Sequence, residues 1–419
     1  GATDTHVAIV GMGYVGLPTA LAFLDKGATV TGIDISAARL AEIRSARADL
    51  LEDDRHRLRA ALASPGLELT GDPSAMSAAD TVIICVPTPV DQHLNPDLTA
   101  LRAACATVVG YARPGQTIVL TSTTYVGTTH DLLVDPLAAR GLVAGQDVFV
   151  AFAPERVDPG VDQHRQELTP RVVGGVTAAC TARAAAVLEH ITPLVHTVSS
   201  AQAAEMTKLL ENTFRAVNIA LANEFADACR ALRVDVNEVI ASAATKPYGF
   251  MAFHPGPGVG GHCIPCDPHY LLWQLRAQRH ESTLIDAAMR GIAGRPRHVV
   301  DRAREVLADR ATPLAGARIL VVGVAYKPGV ADVRESPALQ IIDELVAAGA
   351  RVSFVDEMVD RVRLARGTMS GTADYATRDW DLVLVHTPQP GVDEAWLRTQ
   401  PAVLDASYRL HDVPLREVV

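Results

Sequence analysis

Residues 6–34 constrain the fold of this chain more tightly than any other stretch. His6-Val-Ala-Ile-Val10 has the apolar, β-branched character of a short buried strand, and Gly11-Met-Gly-Tyr-Val-Gly16 follows it with no spacer. Leu17 to Lys26 then carries apolar residues at helical spacing, and Thr29-Val-Thr-Gly-Ile-Asp34 is a second strand ending in an acid. Three glycines at this spacing are weak evidence by themselves, because a glycine-rich turn needs no ligand. Strand, glycines, helix, strand and terminal acid within about 30 residues make the full dinucleotide-binding pattern. Gly11 makes the tight turn, Gly13 lets a pyrophosphate approach the helix N-terminus, and Gly16 lets the helix pack closely on the strand. Met12, Tyr14 and Val15 complete the loop and are counted with its cofactor-binding residues. Asp34 is suited to the ribose hydroxyls and would repel a 2′-phosphate, which favours NAD over NADP. Arg39 weakens that preference, since it can stack on adenine or contact a phosphate.

Three more continuous Val/Ile-rich runs follow, Asp80–Val86, Gln116–Thr121 and Asp147–Ala151. Such runs suit parallel strands covered on both faces. Doubly wound sheets collect ligands at strand ends, and polar clusters stand at these ends: Pro87-Thr88-Pro89, Ser122–Thr129 with Thr123, and Ala153–Gly160 with Glu155 and Arg156. Glu155 is a candidate general base; a carboxylate capping the next helix is the plainer alternative. Cys85 lies inside a strand pattern and is expected in the core. The formal net charge of −10 argues against a nucleic-acid partner, because phosphate contact needs clustered Lys and Arg. Six cysteines in 419 residues are too sparse for a disulfide scaffold, so reduced thiols and a cytoplasmic location are expected. No apolar run approaches the ~18 residues of a membrane span, and nothing ahead of His6 has a signal-peptide core.

Ala201 to Arg233 is the longest uninterrupted helical pattern, with Met206, Leu209, Leu210, Phe214, Val217, Leu221 and Phe225 spaced by three, four or one. A helix of this length can span between domains and form a dimer seam. Lys208 and Asn212 stand at i and i+4, so they share a face beside the apolar stripe. Glu205, Glu211 and Glu224 read as solvated face. Further on, Gly258-Val-Gly-Gly-His-Cys-Ile-Pro-Cys-Asp267 sets a cysteine between a histidine and a proline in a glycine-dense turn. Cys263 is there a candidate nucleophile, with an incidental surface turn as the alternative. Helices are expected over Pro268–Arg279 and Leu284–Ile292. Ala317–Ala325, Arg351–Asp356, Asp381–Val385 and Ala402–Asp405 then form a second α/β repeat. Its helix has Ser336 as N-cap, Pro337 in the first turn and Gly349 just past the end. The second repeat lacks the full glycine pattern, so no second NAD is assigned. Tyr326-Lys327 and Asp332–Ser336 cluster at the end of its first strand, which suits a nucleotide's phosphates.

The expected fold is α/β, with two Rossmann-like doubly wound domains joined by a helical centre that contains the long helix. The expected boundaries are 1–198 for the NAD-binding domain, 199–297 for the central domain with the cysteine loop, and 298–419 for the second Rossmann-like domain. Over nearly its whole length the chain resembles the UDP-glucose/GDP-mannose dehydrogenase family. The matching stretches are Gly11–Pro18, Val86–Pro89, Ser122-Thr123, Ala153–Arg156, Lys208–Asn212, Gly260–Cys263 with Asp267, and Gly323–Lys327 with Arg334–Ser336. Lys246–Pro265 is most similar to the UDP-N-acetylglucosamine 6-dehydrogenase branch; UDP-glucose 6-dehydrogenase is the runner-up, and a catalytically silent NAD- and nucleotide-binding protein is the reading from another class.

The resemblance implies oxidation of a sugar C6 alcohol to a carboxylate with two NAD⁺ reduced per turnover. It implies that Asp267, or a water held by Asp267 and Thr123, takes the first proton, and that Lys208 and Asn212 hold the developing oxyanion. Cys263 would form a thiohemiacetal and then a thioester, hydrolysed by a water that Glu155 orients. It further implies substrate contacts from Glu155, Arg156, Lys208 and Asn212. More would come from Tyr248, Phe250, Met251, Phe253 and Gly260 around the sugar, and from Tyr326 and Lys327 near the uridine diphosphate. Pro87, Thr88, Thr123 and Arg334 would face the cofactor. A UDP-sugar is the expected small-molecule partner, a homodimer through the long helix is expected, and no metal is. Cys266 departs from the family pattern by making a Cys-x-x-Cys with Cys263. A zinc site drawing on His262 and His269 lacks a second ligand pair, whereas a reversible Cys263–Cys266 disulfide is open on spacing alone.

Overall fold

A computed structural model describes residues 5–47, 52–156, 168–261 and 264–419. These fall into two compact units, one of residues up to Glu211 with His269–Gln278, the other of Asn212–Pro268 with Arg279–Val419.

The first unit is built on an eight-stranded sheet. Its strands are β1 (His6–Val10), β2 (Thr29–Ile33), β3 (Leu67–Thr70), β4 (Thr81–Ile84), β5 (Thr117–Leu120), β6 (Phe149–Phe152), β7 (Arg171–Gly175) and β8 (Val195–Val198). They lie in the order β3-β2-β1-β4-β5-β6-β7-β8, parallel throughout except where β7 runs against β6. The first six follow the 3-2-1-4-5-6 order of a dinucleotide-binding sheet. β1 pairs β2 from His6 opposite Thr29 to Val10 opposite Ile33. Their apolar side chains, with Leu17, Leu21 and Phe23 of the helix Gly16–Asp25, enter one core. The strands expected over Asp80–Val86 and Gln116–Thr121 are present in shortened form, and the third lies at Phe149–Phe152. β3 and β8 escaped the sequence reading because they are only partly buried, with Leu67-Glu-Leu-Thr70 and Val195-His-Thr-Val198 too polar to stand out. β7 hides behind Gly174 and Gly175, where a Cβ would fall 2.0 Å from the Ser200 carbonyl and 2.2 Å from the Thr181 amide.

The second unit carries a five-stranded parallel sheet in the order β10-β9-β13-β14-β15, and a hairpin of β11 and β12. The strands are β9 (Arg318–Val322), β10 (Arg351–Val355), β11 (Arg361–Leu364), β12 (Gly367–Ser370), β13 (Leu382–Val385), β14 (Val403–Asp405) and β15 (Glu417–Val418). Ile319, Val321, Phe354 and Leu384 pack with Ile341 and Leu345 of the helix Pro337–Ala347, and with Val299, Ala303 and Leu307. Ser336 caps that helix as read from sequence: its hydroxyl accepts from the Ala338 amide and donates to the Val324 carbonyl at 2.7 Å.

Two helices link sequence to function. Ala201–Leu232 runs 32 residues and stops at Arg233, whose φ of +59° turns the chain. Thr283–Ala308 runs 26 residues straight through Pro296, beyond the end expected at Ile292. Proline normally breaks a helix interior by removing one hydrogen bond and clashing with the preceding turn. Here Ile292, Pro296, Val299 and Val300 are all buried, and tertiary packing outweighs the local penalty. Among the described residues no helix is long and apolar enough to cross a membrane.

Candidate active site

In the first unit the chain between β1 and the helix Gly16–Asp25 folds as its glycines require. Gly11 has φ +95°, and a Cβ there would meet the Cys85 carbonyl at 2.7 Å; at Gly16 it would sit 1.7 Å from the Gly11 carbonyl. At Gly13 a Cβ would meet nothing within 4 Å. The open side of the loop is thus at Gly13, ahead of a helix N-terminus, where backbone N–H groups and the helix dipole favour phosphate. Asp34 accepts from the Met12 amide at 2.9 Å and the Ser36 amide at 2.8 Å. Arg39 donates from Nε to the Met12 carbonyl at 2.8 Å and pairs with Glu42, so it braces the loop. These residues fit a dinucleotide.

The strand-end loops of the same sheet are strapped from behind. Ser122 donates to the Val86 carbonyl at 2.8 Å, and Thr123 is buried beside it in sequence. The Tyr270 hydroxyl donates to the Thr88 carbonyl at 2.7 Å. Gln274, one turn further along the helix Asp267–Ala277, both accepts from the Val126 amide (2.9 Å) and donates to its carbonyl (2.7 Å). Glu205 corrects the sequence reading: instead of facing solvent it is 1% exposed. It accepts from the Gly127 amide at 3.0 Å, and from the amide and hydroxyl of Thr129, each at 3.1 Å. Burial raises its carboxyl pKa against the pull of these hydrogen bonds. Its neighbour Met206 faces out, so charge alone was a misleading guide to which helix face Glu205 occupied. Glu224 is exposed as expected, and Glu211 is half-buried against Arg156.

Lys208 and Glu155 meet as a buried pair. The lysine Nζ donates to the Glu155 backbone carbonyl at 2.9 Å and stands 3.5 Å from its Oε1, with both side chains less than a tenth exposed. Each supplies the counter-charge that burial demands of the other. The Glu155 carboxylate is thus engaged with the Lys208 ammonium. Arg171, fully buried, donates to the carbonyl of Ala153, two residues ahead of Glu155. Cys85 is core, as expected, and burial pushes its thiol up to about 11.

In the second unit Asn212 Nδ2 donates to Asp267 Oδ2, and both residues are buried. The glycines ahead of the cysteine are laid against the second sheet's loop. A Cβ on Gly260 would fall 2.4 Å from Tyr326 Cβ, and the Gly261 amide donates to the Arg334 carbonyl at 2.9 Å. Arg334 is turned on Asp332, with Nε 2.9 Å from both carboxylate oxygens. Lys327 Nζ stands 5.9 Å from the centre of the Tyr326 ring. Phe253 packs edge-to-face on Phe214 at 5.8 Å, whereas Tyr248, Phe250 and Met251 are exposed. Cys263 and His262 lie outside the described residues, as do residues 157–160 of the Glu155 loop. A spacing-based disulfide with Cys266 falls there too; Cys266 itself is buried.

The arrangement offers a phosphate-binding turn, a buried amine beside a carboxylate, and a carboxylate oriented by an amide. Sequence reasoning missed Glu205, Tyr270 and Gln274. The only available signal was that Tyr270 and Gln274 share a helix face four residues apart.

Three comparisons bear on this arrangement. Models of the UDP-glucose/GDP-mannose dehydrogenase family match the chain in three parts: its NAD binding domain over residues 5–192, its central domain over 202–291, and its UDP binding domain over 320–411. The chain is 34% identical over 390 residues to a UDP-N-acetyl-D-glucosamine 6-dehydrogenase of Pseudomonas aeruginosa, covering 93% of this chain and 88% of that protein. A solved structure of a UDP-D-ManNAc dehydrogenase from Pyrococcus horikoshii superposes with a TM-score of 0.90 at 31% identity, over 99% of both chains.

Proposed function

From the chain's membership of the UDP-glucose/GDP-mannose dehydrogenase family, NAD-dependent oxidoreductases, we propose that it oxidises the C6 alcohol of a UDP-N-acetylhexosamine to the uronic acid, with Cys263 as nucleophile. The observation that carries the reading is the buried Lys208–Glu155 pair, on the same chain as the Asn212–Asp267 pair. A silent nucleotide-binding protein has no use for two charged groups desolvated in this way, since burying them costs stability without a compensating task.

Gly11, Gly13, Gly16 and Asp34 hold the cofactor, with Pro87, Thr88, Thr123 and Arg334 proposed to border it. NAD⁺, when bound, supplies the hydride acceptor, used twice per sugar. The protein's own residues do the rest. Asp267, fixed by Asn212, or a water shared with Thr123, takes the proton of the C6 hydroxyl. The Lys208 ammonium and the Asn212 amide stabilise the oxyanion, an effect strengthened by burial. The Cys263 thiolate adds to the aldehyde carbon to give a thiohemiacetal, and oxidation of that carbon leaves a thioester. A water positioned by Glu155 attacks the thioester carbonyl; the C–S bond breaks, returning the thiolate and releasing the carboxylate. Arg156, Tyr248, Phe250, Met251, Phe253 and Gly260 are assigned to the sugar side, and Tyr326 and Lys327 to the diphosphate side. Acetamido sugars are favoured because the similar proteins are named for N-acetylglucosamine and N-acetylmannosamine.

An NADH assay over UDP-GlcNAc, UDP-ManNAc, UDP-GalNAc, UDP-glucose and GDP-mannose tests the assignment. Turnover of an N-acetylhexosamine well above UDP-glucose is expected, and failure of every UDP-sugar overturns the substrate class. A homodimer through the long helix belongs to the same proposal. Met206, Leu210, Phe214, Leu221 and Phe225 follow one helical stripe and are 45–67% exposed, which is unusual for large apolar side chains in a row. Leu210→Glu is expected to halve the mass seen by light scattering. The proposed location is the cytoplasm, consistent with sparse cysteines.

A further inference from the structure

Ahead of Cys263 the chain is held by residues that none of the steps above uses. Gly256 is pinned on both sides: its N–H donates to Asn223 Oδ1 at 3.0 Å, and its carbonyl accepts from Arg295 Nε at 3.0 Å. Two residues on, Gly258 has φ +142°, and a Cβ there would come 2.9 Å from Pro337 Cγ and 3.4 Å from Pro296 Cγ. The helices Ala201–Leu232, Thr283–Ala308 and Pro337–Ala347 thus each touch a stretch of three residues. Gly260 and Gly261 then continue onto Tyr326 and Arg334 as described.

Arg295 is the hub. It is 3% exposed although charged, and it uses three nitrogens in three directions. Nε holds Gly256, Nη1 donates to Asp227 Oδ1 at 2.8 Å, and Nη2 donates to the Tyr408 hydroxyl at 3.1 Å. Tyr408 is itself fixed at both ends. Its hydroxyl donates to the Val419 carbonyl at 2.8 Å, and its own carbonyl accepts from Asn237 Nδ2 at 2.8 Å. Its φ of +58° is left-handed, a conformation a bulky residue keeps only where its surroundings over-determine it. A flat guanidinium satisfies three fixed partners at once; a lysine ammonium on a flexible stem does not.

We propose that Arg295 is a positioning residue, which fixes the path of residues 250–261 and thereby the sugar-covering side chains and the entry to the nucleophile loop. The proposal rests on the function given above only for what that segment covers. Arg295 makes none of the contacts assigned to the cofactor, so its loss separates the two ligands: the nucleotide-sugar constant moves and the NAD constant does not.

The test uses the full chain as wild type, Arg295→Lys, Arg295→Gln and Tyr408→Phe. Hydrogen exchange read by mass spectrometry, which needs no substrate, is expected to quicken at least about tenfold in peptides covering 247–261 of both Arg295 variants, as for loss of hydrogen bonds from a charged group. In steady-state assays KM for the UDP-sugar is expected to rise about tenfold or more while the NAD dissociation constant stays within about twofold. Tyr408→Phe, which leaves Arg295 its other two partners, is expected to shift both readings less and in the same direction. Should both Arg295 variants fail to fold, Tyr408→Phe and Asn223→Ala carry the same two readings. Unchanged exchange at 247–261 in a folded variant overturns the proposal, and so does an equal rise in the sugar and NAD constants, the mark of general loosening. If the wild type turns over no UDP-sugar, the function proposed above fails, and exchange alone still decides whether Arg295 holds the segment.

Discussion

The two sheets turn the same corner and finish it differently. In the first, Gly11 at φ +95° receives the chain from β1 and donates to the Ile33 carbonyl at 2.8 Å; Asp34, just after β2, accepts from the Met12 amide at 2.9 Å. In the second, Gly323 at φ +79° leaves β9 and donates to the Val355 carbonyl at 2.8 Å, and Asp356 accepts from the Val324 amide at 2.9 Å. The residues after the neighbouring strands also correspond: the Cys85 amide donates to Val10 at 2.8 Å and the His386 amide to Val322 at 2.9 Å. Beyond this shared core the corners part. After Gly11 comes Gly13, open for 4 Å around its missing Cβ, and a helix begins at Gly16. After Gly323 comes buried Ala325, and the helix waits until Pro337. Asp34 meets only backbone amides among the described contacts, whereas Asp356 is also held by Gln389 Nε2, 3.2 and 3.3 Å from its two oxygens. The strand-turn-strand device therefore does not by itself define a cofactor site. What sets the first corner, the proposed cofactor site, apart from the second is an open glycine and an acid that no side chain engages among the described contacts.

That contrast can be broken first at the glycines. Gly13→Val is expected to lower NAD affinity at least about a hundredfold, because the pyrophosphate must come where the side chain now stands, with little change in thermal stability. Gly323→Val is expected to cost several kcal/mol or prevent folding, since its Cβ would lie 1.7 Å from the Thr387 carbonyl at a positive φ. Titration with NAD and thermal unfolding read the two effects. The acids sharpen the same contrast. Asp34→Asn is expected to weaken NAD about tenfold, while Asp356→Asn leaves NAD affinity alone and costs about 1–2 kcal/mol of stability in denaturant unfolding.

pH separates the halves more gently. Burial pushes His386 down to about 3 from the ordinary 6.5, the reverse of the rise burial gives Cys85. A histidine kept neutral in the folded chain takes a proton on unfolding, so its contribution is complete above pH 6.5 and is lost as pH falls toward 3. The slope is up to about 1.4 kcal/mol per pH unit, read from denaturant midpoints between pH 7 and 5. His386→Gln is expected to flatten it. The smallest effect is an inertness: at pH 8 the Cys85 thiol, held near 11, is expected to resist iodoacetamide while Cys263 is alkylated, as peptide mass mapping will report.

The sequence made much of this legible because glycine spacing, β-branched runs and caps act locally. The corner at Gly11–Asp34, the N-cap at Ser336 and the long helix from Ala201 all appear where local chemistry puts them. What escaped reading depends on partners far along the chain. Glu205 looks like any exposed glutamate until the Gly127 and Thr129 amides, more than 70 residues away, are brought to it. Pro296 looks like a helix end until its flanks are buried. Arg295 looks like a surface arginine, and only the joint presence of Gly256, Asp227 and Tyr408 makes it a hub. Edge strands β3 and β8 lacked the apolar continuity that marked the central ones.

The central claim is that one thiol carries a sugar alcohol through both oxidations to the acid, and the most direct measurement is the ratio of NADH formed to uronic acid released by purified enzyme on its preferred UDP-sugar. Two NADH per acid, with acid formation abolished in Cys263→Ala, is the expected result. One NADH per substrate with an aldehyde as product, or full acid formation by Cys263→Ala, contradicts it.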